Sequence, residues 1–321
     1  MQHLAFLNRE ISRVAIGDGA VVKPASEADS FRLLDLAFEK GINVIDTARV
    51  YGLTTPFGAG YSEEALGRYF RSRSSRNDWF LVSKGAHPPV SDMTMNRLTR
   101  TELTKDLDSS LKALGTDRID LYFLHRDNEK KDLPELMETL DGFVKSGRVG
   151  AIGASNWRLE NILKANAYAE AHELTPFSAS QIRWNLLKFD DATGPDPTTK
   201  AMREDEVDGY RASSLLVMCY NSQAKGILSR ALAAGGYEAL KASGGLGSYT
   251  DPDNRRRIEA ALRLADELGV SPAAVALAYL TSQDFPVMPI LGCSTADHLN
   301  DALSAPDLKL TDEQLALLDG R

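Results

Sequence analysis

Short apolar runs recur along the chain, separated by longer amphipathic stretches. The runs cover 13–16, 43–45, 79–83, 119–124, 149–153, 178–182, 215–219 and 287–291. They are rich in Val, Ile, Leu and Phe with little alternation, the pattern of parallel strands covered on both faces. Between them the period changes. In 101–114, Leu103, Leu107, Leu111 and Leu114 share one helical face opposite charged residues. Segments 133–146 and 159–172 have the same character, and Ser271-Pro272 reads as an N-cap and first-turn proline opening a helix to Ser282. Eight such strands with intervening helices predict a closed (β/α)8 barrel rather than an open doubly wound sheet. No linker-like segment divides the chain, so residues 1–321 are expected to form a single domain. Two long connections, 53–61 and 241–254, are candidate lids or binding loops.

Composition narrows the partners. The 321 residues are 43% hydrophobic and carry a net charge of −8. No Lys/Arg run is present, which argues against nucleic acid and anionic membranes. No apolar run approaches the roughly 20 residues of a membrane span, and the N-terminal MQHLAFLNRE has no leader-like pattern. Cys219 and Cys293 suggest reduced, buried thiols in a cytoplasmic protein rather than a disulfide framework. The five histidines have no metal-ligand spacing, so no metal is expected.

The candidate chemistry falls at strand ends, where barrels of this type carry it. The second strand ends at Asp46, the third at Lys84 and the fourth at His125. The fifth runs into Ser155-Asn156, the sixth carries Gln181, the seventh meets Tyr220 and the eighth meets Gly292. One polar residue at a strand end is ordinary loop; several ionisable groups on one rim suggest a site.

The stretches GINVIDTARVYG with SEEALG, LVSKG, DLYFLHRD, GRVGAIGASNW, SASQIRWN, CYNSQAKGIL and PILGCST occur in order over nearly the whole chain. In that order and spacing the sequence resembles the aldo-keto reductase family. The resemblance implies a (β/α)8 barrel and nicotinamide-dependent reduction of an aldehyde, ketone or sugar carbonyl, or the reverse. By position it implies Tyr51 as proton donor, with Asp46, Lys84 and His125 completing the catalytic set. The chemistry is consistent with this. A tyrosine of pKa near 10 holds a proton at neutral pH, and an adjacent Lys⁺ favours the phenolate and lowers that pKa. Asp46 can hold Lys84, and His125 can orient a carbonyl oxygen. Tyr61, in the following loop, is a rival. Tyr51 is preferred for its five-residue step from Asp46.

The resemblance also implies a cofactor side. Ser155, Asn156 and Gln181 match positions that hold a nicotinamide carboxamide, and Tyr220 matches the aromatic stacked on the ring. Asn221, Gln223 and Lys225 would follow the pyrophosphate. Gly17-Asp18-Gly19 resembles a short glycine turn beside the nicotinamide. As a dinucleotide fingerprint it is incomplete, because Val22 stands where the third glycine belongs and Lys23-Pro24 follows. Gly292, Ser294 and His298 lie where selectivity for a 2′-phosphate is set. NADP is the family's usual cofactor. NAD stays open because Gly292 and His298 replace the usual Lys and Arg, and Ala302 stands where an Asn often contacts adenine. Trp157 and Trp184 are read as core.

Two other functions compete. One is a non-catalytic nucleotide-binding barrel that regulates a protein partner. The other is a barrel aldolase using Lys84 as a Schiff base. Arg126, Asp127, Asn128, Arg183 and Asn185 add polar groups near the expected mouth and lean the substrate toward sugar-like compounds. The oligomeric state is not legible.

Overall fold

The computed structural model describes residues 1–321 except 23, 24, 190, 192, 193, 195 and 321, so Lys23-Pro24 lie outside the described residues. Eight parallel strands close a barrel: β3 (Ala15–Ile16), β4 (Val44–Asp46), β5 (Phe80–Gly85), β6 (Ile119–Leu124), β7 (Val149–Ser155), β8 (Ala179–Arg183), β9 (Leu216–Tyr220) and β10 (Val287–Leu291). Pairing of β10 with both β9 and β3 completes the ring. Helices follow the strands, as the change of period predicts. Thr99 caps the helix Arg100–Leu114 and Ser271 caps the helix Pro272–Thr281, each accepting a hydrogen bond from a first-turn N–H.

Two apolar clusters lie on either side of the strands. Val44, Val82, Leu121, Phe123, Ala179, Leu216 and Met218 belong to the inner one. Their neighbours, such as Ile45, Leu81, Tyr122, Ile152 and Val217, belong to the outer one beneath the helices. Side chains alternate along a strand, so a step of two from an inner residue is again inner. Thus Val44 leads to Asp46, Val82 to Lys84, Phe123 to His125, Ala179 to Gln181 and Met218 to Tyr220. The polar strand-end residues are the last layer of the barrel interior.

The opposite end is closed by a hairpin that the pattern did not predict. Strands β1 (His3–Phe6) and β2 (Arg9–Ser12) pair antiparallel. Leu7 and Asn8 make the turn, both with positive φ (50° and 58°). That geometry favours Asn-Gly or Asp-Gly, so Leu-Asn gave no turn signal. Ile11 is fully buried in the inner cluster, with Leu4 and Phe6 packed against it.

Both long connections are shorter than expected. Tyr61 is not a loop residue: it opens the helix Tyr61–Arg73. The first two residues of 241–254 close the helix Tyr237–Ala242, and the last two open the helix Asp253–Leu268. Among the described residues no helix is long and apolar enough to cross a membrane, and no cluster of His, Cys, Asp or Glu could hold a metal.

Candidate active site

Asp46, Tyr51, Lys84 and His125 meet at the carboxyl end of the barrel. Lys84 is fully buried, and its Nζ donates to Asp46 Oδ2 at 2.7 Å, to the Thr47 carbonyl at 2.8 Å and to Tyr51 Oη at 3.2 Å. Those are three acceptors for three N–H donors. Burial presses the lysine pKa down, but Asp46 and Tyr51 outweigh it and the net shift is upward. Lys84 is therefore held as a cation, the form that does not add to a carbonyl as an amine. Asp46 is held in turn by Gln181 Nε2, which donates to Oδ1 at 2.8 Å.

Tyr51 corrects one expectation. Lys84 does act to lower its pKa, yet burial is the larger effect and, with Asp46 and Asp18 also opposing, the net shift is upward. The phenol is thus firmly protonated at neutral pH. Its place depends on the turn behind it. Gly60 N–H donates to the Tyr51 carbonyl at 3.1 Å, folding 52–60 back on itself. Gly52 has φ of 98°, and a Cβ there would meet the Gly58 carbonyl oxygen at 2.6 Å, so only glycine fits. Tyr61 points elsewhere. Its ring stacks on Phe57 at 4.2 Å, with Arg68 nearby.

His125 packs edge-on to Tyr51, with ring centres 5.6 Å apart. Burial, then the charges of Arg126 and Lys84, push its pKa well down, so it is a neutral imidazole. Its Nδ1 is buried with no partner among the described residues. His87, which the sequence reading passed over, packs edge-on to His125 at 4.8 Å. It lies in a loop off the strand period, so no pattern marked it. A buried brace was missed as well. Glu63, fully buried in the SEEALG stretch, accepts from Ser83 Oγ at 2.7 Å and from Arg49 Nη1 at 3.2 Å. Burial raises its pKa despite these partners.

The cofactor-side residues are assembled on the neighbouring strands, with uneven capacity for a ligand. Asn156 adopts φ of 59°. Its amide donates to the His125 carbonyl and to Ser155 Oγ, both at 3.1 Å. Its oxygen accepts from Tyr220 Oη at 2.7 Å and from Lys200 N–H at 3.1 Å. All four hydrogen-bonding positions of that side chain are engaged. Asn221 donates to Tyr249 Oη at 2.7 Å, and Ser222 turns away to the Ile290 carbonyl. Ala224, Lys225 and Gly226 take successive left-handed conformations before the helix Ile227–Ala234, and Gly226 N–H bonds the Gln223 carbonyl. A cleft of about 240 Å³ opens here, lined by Arg183, Lys225, Arg230 and Tyr249 with the glycine-rich 244–248.

Gly17 and Gly19 have a packing reason. A Cβ on Gly19 would lie 2.6 Å from the Gly292 carbonyl oxygen, and one on Gly17 would lie 2.7 Å from Ile290 Cγ2. They let the end of β3 lie against the end of β10. Gly292 and His298 are exposed and Ser294 half-buried, while Thr295 caps the next helix and Ala302, its last residue, is buried.

Most of the residues read as sugar-facing are engaged in structure. Arg126 bonds Thr198, the His125 carbonyl and Asp196. Asp127 holds Lys131 and Asn161, and Asn128 bonds the Thr94 carbonyl. Asn185 bonds the Asn221 carbonyl and Tyr249 Oη. The lean toward a sugar-like substrate loses that support. Trp157 and Trp184 are buried core residues, as read.

The comparisons with known proteins agree with this architecture. An uncharacterized oxidoreductase, YrpG, of Bacillus subtilis is 28% identical over 318 residues, covering 96% of this chain and 91% of its own. The aldo-keto reductase yakc [NADP(+)] of Schizosaccharomyces pombe is 26% identical, covering 93% of this chain and 85% of its own. The crystal structure of the thermostable aldo-keto reductase Tm1743 with the inhibitor epalrestat superposes with a TM-score of 0.73 at 23% identity, spanning 100% of this chain and 99% of that one. The model of the Aldo/keto reductase family matches residues 14–320. The chain belongs to the aldo/keto reductase family of oxidoreductases.

Proposed function

We propose that the protein, acting as one barrel unit over 1–321, interconverts a carbonyl and an alcohol with NADP(H), Tyr51 serving as the general acid. The observation that carries this is the Tyr51 hydroxyl 3.2 Å from a buried, ion-paired Lys84 at the mouth of the barrel. A reduced nicotinamide, when bound, supplies the hydride. The chain supplies the rest. As charge develops on the carbonyl oxygen, Tyr51 gives it a proton. The phenolate left behind lies beside Lys84, whose charge is fixed by Asp46 and, through Asp46, by Gln181. The neutral His125 offers a hydrogen bond that orients the carbonyl without competing as a stronger acid. In the reverse direction the same groups remove the alcohol proton.

The residues fit a dinucleotide. The cleft beside Tyr220 has three cations and no carboxylate among its described lining residues, in a chain of net charge −8. Its left-handed turn at 224–226 suits a phosphate. Ser155, Gln181 and Tyr220 would hold the nicotinamide. Asn156 would join them only by exchanging one of its four present bonds. NADP is favoured over NAD by a relative named for NADP(+), against the exposed Gly292 and His298 where a cation would read the 2′-phosphate. The test is a spectrophotometric screen of aldehydes, ketones and sugars with NADPH and NADH. Turnover with NADPH at a higher kcat/KM is expected. A preference for NADH would overturn the cofactor assignment, and no turnover with either would overturn the activity.

A further inference from the structure

Arg183 is the last residue of β8 and lies in register with Tyr220. The strand period brings it to the mouth, two residues beyond the inward-facing Gln181. Its guanidinium carbon sits 3.8 Å from the centre of the Phe189 ring and 5.6 Å from that of Tyr220. Nη2 meets Thr199 Oγ1 only at 3.5 Å. Nε and Nη1 are covered from solvent and have no acceptor among the described residues. Nearby arginines differ. Arg126 holds Asp196, Arg158 holds Asp191 and Glu206, and Arg257 holds Asp319. Covering guanidinium donors without an acceptor is unfavourable, which points to an acceptor that arrives with a ligand. The planar fork suits two oxygens of an oxyanion.

We propose that Arg183 is a further ligand-binding residue that closes on the diphosphate of the bound dinucleotide from the β8 side, opposite Lys225 and the 224–226 turn. This rests on the dinucleotide reading above. A carboxylate or phosphate on the carbonyl substrate would offer the same oxygens. The cleft favours the dinucleotide, because Arg183 shares it with Lys225 and Arg230 whereas Tyr51, Lys84 and His125 do not line it.

The experiment titrates NADPH, NADH and ADP-ribose, which lacks the nicotinamide, into wild-type protein, Arg183→Met and Arg183→Lys. Circular dichroism and melting checks ensure that each variant is folded. Arg183→Met is expected to weaken the preferred dinucleotide and ADP-ribose alike, by about 10- to 100-fold. Arg183→Lys should recover part of the loss and keep the salt dependence. If wild type binds dinucleotide and Arg183→Met binds it equally well, the inference is wrong while the cofactor reading stands. If dinucleotide affinity is unmoved but KM rises only for carbonyl substrates bearing a carboxylate or phosphate, the oxyanion belongs to the substrate and the proposal falls. If wild type binds none of the three ligands, the cofactor reading fails and takes this inference with it.

Discussion

The two ends of the barrel use similar residue types to opposite effect. At the amino end, Asp120 accepts from Leu81 N–H at 2.8 Å, from Arg76 Nη2 at 3.0 Å and from Arg9 Nη1 at 3.3 Å. Ser12 N–H bonds Asn43 Oδ1 at 2.7 Å, and the hairpin lays Ile11 over the inner cluster. Apart from Arg76 Nε, which has no partner among the described residues, these polar groups satisfy one another and close the floor. At the carboxyl end, Asp46 also bonds both Lys84 and Gln181, but that network holds Tyr51 and stands beside His125 Nδ1 and Arg183 Nε and Nη1, which are buried without partners among the described residues. A buried charge network thus serves the fold at one end and holds the groups proposed to react at the other. Which it does depends on what the network presents, not on its own strength.

The sharpest way to separate the ends is to remove the proposed proton donor. Tyr51→Phe deletes one hydroxyl and keeps the ring against His125, so stability and dinucleotide affinity should hold while kcat falls by about 10²- to 10⁴-fold. Tyr61→Phe should leave kcat near wild type, since that ring packs on Phe57 away from Lys84. Stopped-flow and steady-state assays with the best substrate check both. Comparable losses from the two variants would show that the network at the mouth is not what sets the chemistry.

Removing the cation should damage fold and function together. Lys84→Met strands Asp46, only 3% exposed, with Gln181 as its remaining partner. Breaking a buried pair in this way costs about 3–5 kcal/mol, readable as a lower urea midpoint, and turnover should be lost. The double variant Lys84→Met/Asp46→Leu should regain much of the stability and none of the activity. If the double variant regained activity, the pair would be merely structural, like the network at the floor.

These contrasts also explain what was legible in the sequence. The inner layer could be found because continuous apolar runs end on Asp46 and Lys84, which the structure places two residues beyond the inner Val44 and Val82. Tyr51 needed more than periodicity, since it stands on a turn whose closure depends on Gly52. The hairpin was missed because β1 and β2 have four residues each and turn through Leu7-Asn8. His87 and the Glu63–Arg49–Ser83 brace were missed because tertiary contacts, not spacing, define them. The polar residues at 126–128 and Asn185 misled for the same reason. A sequence shows that a polar group is present but not whether a neighbour already occupies it.

At the floor, Asp120→Asn should show the converse of Lys84→Met. The amide keeps one acceptor for Leu81 N–H but loses the charge that holds two arginines, so unfolding should be easier by about 1–3 kcal/mol. With the fraction folded accounted for, kcat/KM should match wild type. A specific loss of kcat/KM in the folded protein would mean that the two ends are coupled through the strands, and that the division drawn here is too simple.

The smallest expected effect is a pH dependence of stability traceable to the mouth. His125 is buried and its pKa lies well below the ordinary 6.5. His87 is lowered as well, by burial and then by Arg126. The unfolded chain takes up these protons as pH falls through 6.5, while the folded chain does not. Stability is therefore full above that value and declines below it, with a slope of up to about 1.4 kcal/mol per pH unit for each such histidine. The Tyr51 shift has the opposite sign. Its raised pKa makes the folded state hold a proton that the unfolded state releases, so stability should fall above about pH 10. Melting curves across this range for wild type and His125→Asn separate the contributions. The acid slope should shrink in the variant while the alkaline limb persists. An unchanged acid slope would place the proton uptake elsewhere, and His125 would then take up its proton as readily in the folded protein as in the unfolded chain, no longer held neutral by its burial.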